Sequence, residues 1–215
     1  ALPFLAAAVA GHPSERLRVL GVTGTDGKTT TSFLLAHVLG ARHLTGLVST
    51  AAVRLGGEEL PLEGHFTTPE APEVQGFLAR FAAAGATHAV LESSSHGFSQ
   101  HRLDAVSYGV GVVTNVSPEH LDHHGTFAAY VDAKATLVRR AEAAVLNADD
   151  DGFTAFRGAA REAGARVVTY GERPGADVRL LRVEEPPGAL ELALDVLGER
   201  VTARLPMVGR YNAWN

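Results

Sequence analysis

The run Gly21-Val22-Thr23-Gly24-Thr25-Asp26-Gly27-Lys28-Thr29-Thr30 holds the residue types that can grip a chain of phosphates. Glycines let the backbone curl until several N–H groups face one anion. A helix starting here would add the positive end of its dipole. Lys28 supplies a mobile cation for the outer phosphates, and the Thr29 hydroxyl is placed to ligate Mg²⁺. The common phosphate-loop pattern calls for Gly where Val22 stands, so the glycine spacing here is its own. The competing reading is an ordinary Gly-rich turn that caps a helix.

Three further groups could act beside such a loop. Glu92 closes the apolar run His88 to Leu91 and is followed by Ser93-Ser94-Ser95-His96-Gly97. Ligands of open α/β sheets collect at the carboxyl ends of strands, where an acid can bind Mg²⁺; the alternative is a strand-end acid in water. His120, His123 and His124 crowd into Thr114 to Gly125 and invite a zinc reading. Their spacing fits no metallohydrolase set, which needs convergent ligands and an open position. Lys134, within Tyr130-Val131-Asp132-Ala133-Lys134, reads from its helical setting as a solvated side chain.

Elements must position these groups. Residues 1–10 read as a helix stopped by Gly11 and Pro13, and Leu17 to Val22 as a buried strand leading into the glycine loop and a helix over 29–39. The alternation continues: a helix over 69–84, strands at 88–91 and 106–113, a helix over 127–141, a strand at 144–146, a helix over 151–163 and a strand at 166–170. That order predicts an α/β fold, a mostly parallel sheet with helices on both faces. The runs 178–183, 190–194 and 201–205, separated by Pro186-Pro187-Gly188 and Gly198, predict a small antiparallel sheet. Residues 52–62, turning at Gly56-Gly57, read as a second hairpin.

Composition narrows the partners. The chain has 215 residues, of which 46% are hydrophobic and 20% charged, enough for one sizeable core. A net charge of −5 without a basic block argues against a nucleic-acid surface. The absence of cysteine excludes disulfides and thiolate metal sites and fits a reducing compartment. Ala1 to Ala10 is too short to span a membrane and lacks the basic leader of a secretory signal. A cytoplasmic protein is expected, with small-molecule partners and no membrane. The start without Met inside an Ala-rich helix suggests a trimmed domain.

The glycine loop resembles the G-x-T-G-T-N-G-K-T-T loop of the Mur ligases, with Asp26 where that family usually has Asn. Glu92 to Arg102 is similar to the E-x-S-S-H-G-x-x-Q-H-R run of the MurE branch. Thr114 to Gly125 resembles T-N-x-x-x-D/E-H-L-D-x-H-G, and Tyr130 to Lys134 resembles Y-x-x-A-K. Asn147-Ala148-Asp149-Asp150 and Gly209 to Asn215 resemble N-x-D-D and G-x-[HYF]-N-x-x-N. The resemblance runs from about Arg18 to Asn215 with the motifs in family order.

What the resemblance implies is specific. The fold is the P-loop-type central ATP-binding domain, residues 18–215, with 1–17 the tail of a UDP-binding N-terminal domain or a linker, and the C-terminal domain absent. ATP is held by Gly24, Thr25, Asp26, Gly27, Lys28, Thr29 and Thr30, with Asn147, Asp150 and Asn212 near the nucleotide. Thr29 and Glu92 bind one Mg²⁺; His120 and a carbamylated Lys134 bind a second. Lys28, His120 and Lys134 carry the chemistry. Thr67, Thr68, Ser94, Gln100 and Arg102 meet UDP-MurNAc-L-Ala-D-Glu, although Thr67-Thr68-Pro69-Glu70 is also a good helix N-cap with Pro at the first turn. Phe66, often Asn in relatives, implies one missing polar contact. His123 and His124 are read as a helix cap and surface. The implied reaction adds an amino acid (lysine, meso-diaminopimelate or ornithine) through an acyl phosphate in peptidoglycan synthesis, by a monomer. Folylpolyglutamate and cyanophycin synthetases, a P-loop NTPase, or a nucleotide-binding fragment without ligase activity are the alternatives.

Overall fold

The computed structural model describes residues 1–61 and 67–215. Its strands are β1 (Arg18–Thr23), β2 (Thr45–Val48), β3 (Val53–Leu55), β4 (Glu58–Leu60), β5 (His88–Glu92), β6 (Tyr108–Val113), β7 (Ala141–Asn147), β8 (Arg166–Gly171), β9 (Val178–Glu184), β10 (Leu190–Val196) and β11 (Glu199–Leu205). The helices are α1 (Leu2–Val9), α2 (Lys28–Gly40), α3 (Ala71–Ala83), α4 (Ser95–Ser99), α5 (Leu121–His124), α6 (Phe127–Arg140) and α7 (Phe153–Glu162), with 3₁₀ turns at Pro13–Glu15 and Arg210–Trp214. The described strands form one eleven-stranded sheet in the order β11-β10-β9-β8-β7-β6-β1-β5-β2-β3-β4.

The centre of the sheet is parallel, from β2 through β5, β1, β6 and β7 to β8. Its strands are near-continuous apolar runs because both faces are covered. Along β1, Val19 joins a core with Leu78 and Phe81 of α3, Phe98 of α4 and Leu137 of α6. Leu20 and Val22 point the other way, into a core with Phe33, Leu35 and Leu39 of α2. A third cluster packs Tyr130 and Val138 of α6 and Phe156 of α7 against Ala144 and Leu146 of β7. At Gly21 an added Cβ would come within 2.5 Å of Leu137 Cδ1, so α6 lies closer to β1 than any side chain there would allow.

The antiparallel part extends the main sheet. β9 pairs parallel to β8 at Tyr170↔Val178, then β9, β10 and β11 pair antiparallel. The hairpin at 52–62 is β3 and β4, turning at Gly56-Gly57; its expected end at Leu62, and Phe66, lie outside the described residues. Three expectations need correction. The helix expected over 69–84 starts at Ala71, because Glu70, not Thr67 or Thr68, is its N-cap, in a capping box with Glu73, with Pro72 in the first turn. Ser95–Ser99, given no element in the sequence reading, is a short helix capped by Ser94, whose hydroxyl accepts from Gly97 N–H at 3.0 Å. The strand β2 was not anticipated.

The chain order places the sheet's switch point at β1. The chain leaves β1, crosses through α2 to β2 on one side, returns to β5 between them, and then adds β6 on the other side. The carboxyl ends of β1, β5 and β6 therefore open onto one crevice, where α/β sheets bind ligands.

Candidate active site

The glycine loop leaves β1 into that crevice. Gly24 has φ 151 and Gly27 φ 79, values that L side chains rarely adopt, and Gly27 is the N-cap of α2. The loop is held from outside by the end of β6. Thr114 Oγ1 donates to Asp26 O at 2.6 Å, and Thr25 N–H to Asn115 O at 2.9 Å. The Asn115 amide meets both the N–H and the C=O of Asp26, at 2.9 and 3.1 Å. A Cβ on Gly24 would fall on the Thr114 hydroxyl, so the glycine is demanded by this clamp. Lys28 folds back to donate to Gly24 O and Thr25 O at 3.1 and 2.7 Å.

Glu92, at the end of β5, is 1% exposed. Its hydrogen-bond donors among the described residues are neutral: Thr29 Oγ1 at 2.9 and 3.1 Å to its two oxygens, and Thr50 N–H at 3.0 Å. A buried carboxylate with neutral partners is fitted to a hard cation, and Thr29 is already beside it. The reading of Glu92 as a strand-end acid in water is thereby excluded.

Lys134 is 1% exposed, which overturns its reading as a solvated helical lysine. Its ammonium donates to Gly24 O and lies 4.4 Å from the Tyr130 ring centroid. Burial, and then the charge of Lys28, pull its pKa down to about 7, against the opposing pull of Glu119 and Asp26. Tyr130, fully buried, shares a 3.0 Å hydrogen bond with Thr25 Oγ1, which also accepts from Ser117 N–H at 2.9 Å. Burial first, with Glu119 and Asp26 adding, pushes the Tyr130 phenol up to about 12. His120 is exposed, 3.6 Å from the Glu119 carboxylate, with its ring 6.3 Å from that of Tyr130.

Opposite lies a wall of hydroxyls. Thr68 Oγ1 donates to Glu92 O at 3.2 Å, lies 3.0 Å from Ser94 Oγ and accepts from Ser94 N–H at 2.9 Å. Arg102 donates to Thr68 O at 2.8 Å and to Gln100 Oε1, and pairs with Glu70 at 2.9 Å. A cleft of about 370 Å³ joins this wall, including Thr67, to Lys28, His120 and Lys134. A second cleft of about 440 Å³ lies across the glycine loop, lined by Asp26, Gly27 and Asn147 together with Tyr211 and Trp214. A larger trough of about 1100 Å³ along α2 reaches Thr29 and Thr30 but none of Lys28, Glu92, His120 or Lys134.

Residues 22–215 match the family model described as the Mur ligase middle domain. The chain belongs to the Mur ligase family. It is 47% identical over 218 residues to a UDP-N-acetylmuramyl-tripeptide synthetase of Deinococcus radiodurans, a match that covers 100% of this chain and 44% of that protein. To a UDP-N-acetylmuramoyl-L-alanyl-D-glutamate–2,6-diaminopimelate ligase of Streptomyces coelicolor it is 39% identical, over 98% of this chain and 42% of the relative. A solved structure of a ligase of that second name superposes with a TM-score of 0.85 at 29% identity, covering 97% of this chain and 44% of the other. The chain thus spans less than half the length of the relatives it matches.

Within this Mur ligase domain the structure brings together Lys28, Thr29 and Glu92, and, across one cleft, Lys134, His120, Thr67, Thr68, Ser94, Gln100 and Arg102. Two residues expected near the nucleotide are committed inward. Asp150 accepts from Val116 N–H at 2.9 Å and Gly152 N–H at 2.8 Å, and its pKa is raised by burial against those bonds. Asn212, buried, donates to Val208 O at 2.8 Å and accepts from Asn215 at 2.9 Å. Asn147 lines the second cleft while donating to Thr114 O at 3.0 Å. Sequence reasoning missed the clamp of Thr114 and Asn115, the Tyr130–Thr25 bond and the Glu70 counterion. The Thr114-Asn115 pair carried a signal in its motif; Glu70 carried none beyond its place at a helix start.

Proposed function

We propose that this chain is the nucleotide-binding part of an ATP-dependent, ADP-forming ligase that adds a diamino acid to UDP-MurNAc-L-Ala-D-Glu in peptidoglycan precursor synthesis, in the cytoplasm. The names of its relatives support the reaction class. The observation that carries the reading is one cleft in which Lys28 of the glycine loop and the buried Lys134 face Thr68, Ser94 and Arg102, with the buried Glu92 bonded to Thr29 of the same loop and to Thr68 through its carbonyl.

In this reading Gly24 to Thr30 cradle the phosphates through backbone N–H groups and the start of α2. The adenine lies in the second cleft against Tyr211 and Trp214, beside Asn147, while Asp150 and Asn212 brace the neighbouring backbone through Val116 and Val208. A substrate carboxylate oxygen attacks the γ-phosphorus, the bond to the bridging oxygen breaks, and ADP leaves. The amine of the incoming amino acid then attacks the acyl carbon, loses a proton, and expels phosphate as the amide forms. The obstacle is anion meeting anion. Lys28 leaves its loop carbonyls to neutralise the outer phosphates, while Arg102, aimed by Thr68 O, Gln100 and Glu70, orients the muramyl peptide.

Thr29 and Glu92 would hold one Mg²⁺; His120 and Lys134 would hold a second, the ions supplying charge neutralisation at the phosphoryl group. An ammonium cannot ligate a metal. A lysine brought to about 7 has a neutral fraction at neutral pH that can attack CO₂, forming an N–C bond and releasing a proton. The carbamate so formed turns Lys134 into an oxygen ligand.

The test is ADP release with product mass, using the full-length protein, ATP, Mg²⁺, UDP-MurNAc-L-Ala-D-Glu and lysine, meso-diaminopimelate or ornithine. A tripeptide product that requires the muramyl substrate is expected. ATP hydrolysis at the same rate without it would overturn the assignment.

A further inference from the structure

His123 and His124 have no part in the reaction proposed above, yet they are not idle surface. α5 contributes no buried residue among the described ones. Its side chains instead reach α4. His123 Nε2 lies 3.0 Å from Ser99 Oγ, and His124 Nε2 lies 3.1 Å from Ser95 Oγ. Between them His96 of α4 stacks on His123, with ring centroids 4.2 Å apart and planes at 31°. The same ring meets the edges of His120 at 4.7 Å and His124 at 5.5 Å. Among the described residues no group of three or more His, Cys, Asp or Glu could hold a metal ion. The seam therefore works by hydrogen bonding and stacking.

Both sides of the seam carry groups of the proposed site. α4 follows its N-cap Ser94 and leads into Gln100 and Arg102; α5 begins at its N-cap His120, whose φ of 54 places it in the left-handed region. The loop before α5 is tied in turn to the glycine loop, through Ser117 and Asn115 on Thr25. A continuous chain of contacts thus runs from the muramyl wall, across the histidines, to the nucleotide loop.

We propose that His123 and His124 are positioning residues that lock His120 and the loop at 115–125 onto α4, so that nucleotide and muramyl substrate each favour the binding of the other. This rests on the function proposed above. Because such coupling is reciprocal, it can be read from binding alone.

The experiment titrates the full-length protein with a non-hydrolysable ATP analogue and Mg²⁺, with and without saturating UDP-MurNAc-L-Ala-D-Glu. The wild type is expected to bind the analogue at least about fivefold more tightly when the muramyl substrate is present. In the His123→Ala, His124→Ala double variant the gain falls below about twofold, with affinity for the analogue alone nearly unchanged. His124→Gln, which keeps a hydrogen-bonding partner for Ser95, restores most of the gain in the His123-intact protein relative to His124→Ala. His123 is exposed, so His123→Ala by itself gives a folded partial test. A double variant that keeps the full gain, or a wild type whose two ligands bind independently, would overturn the seam while leaving the reaction standing. A wild type that does not bind the muramyl substrate at all would remove the proposed function and the seam with it.

Discussion

Replacing Lys134 by Met should make the fold more stable while abolishing turnover of the full-length enzyme. Lys134 is 1% exposed, and its pKa falls from 10.5 to about 7, by burial first and by Lys28 second. The unfolded chain keeps this proton up to about pH 10. Between the two values the folded protein holds fewer protons, so stability rises with pH. At about 1.4 kcal/mol per pKa unit, the buried lysine costs about 4 kcal/mol at pH 7 and about 1 kcal/mol at pH 9.5. Methionine fills a similar volume and does not titrate. It also gives up the hydrogen bond to Gly24 O and the contact with the Tyr130 ring, together about 1–2 kcal/mol. The variant should therefore be about 2 kcal/mol more stable at pH 7 and level or slightly weaker at pH 9.5. Urea unfolding of both proteins in metal-free, CO₂-free buffer across that range measures the difference, in which the other titrating groups cancel. A difference that stays constant with pH would refute the assignment of a depressed pKa to Lys134.

Other perturbations separate the parts of the site. Lys28→Ala should lower ADP release by the full-length enzyme at least about a hundredfold, and near-normal release would sink the role given to the loop. Asp26→Asn removes a negative charge from the exposed turn of the loop, and ADP affinity by fluorescence titration should rise about two- to tenfold; an unchanged affinity would mean that the carboxylate points away from the phosphates. Gly21→Ala would drive a Cβ to 2.5 Å from Leu137 and 2.7 Å from Tyr108, and should destabilise the domain by about 1–3 kcal/mol in urea. A neutral result would show that α6 can shift off β1.

What could be read in advance followed from burial on both sides. β1, β5 and β6 stand out because each is an uninterrupted apolar run between two covered faces. β2 did not: Thr45-Gly46-Leu47-Val48 is short and half polar, and is buried because β5 and β3 flank it and Phe81 packs on Gly46. α4 hides because Ser95-His96-Gly97-Phe98-Ser99 has poor helix formers; the Ser94 cap and the close approach of Gly97 to Thr68 hold it in place. At the site, the loop and Glu92 are visible as types at strand ends. The burial of Lys134 has a signal in the sequence. Tyr130, Lys134, Leu137 and Val138 share one helical face, and all are buried. The histidine seam had none, since it joins residues brought together only by the sheet's crossover.

The two lysines explain why the loop is held from outside. Lys28 and Lys134 both donate to the carbonyl of Gly24, so two cations converge on one acceptor. Their mutual repulsion is part of what lowers the pKa of Lys134. A glycine loop with φ 151 at Gly24 and φ 79 at Gly27 has little intrinsic preference for that shape. Thr114 and Asn115 supply the missing restraint through bonds to Asp26 and Thr25, and Tyr130 anchors Thr25 from α6. The loop is thereby held in this arrangement from outside, by a strand end and a helix. Drawing Lys28 off Gly24 would relieve the repulsion and raise the pKa of an unmodified Lys134. In the proposed function, where Lys28 meets the outer phosphates, nucleotide binding is therefore linked to the protonation of Lys134, with burial still the larger cause of its lowered pKa.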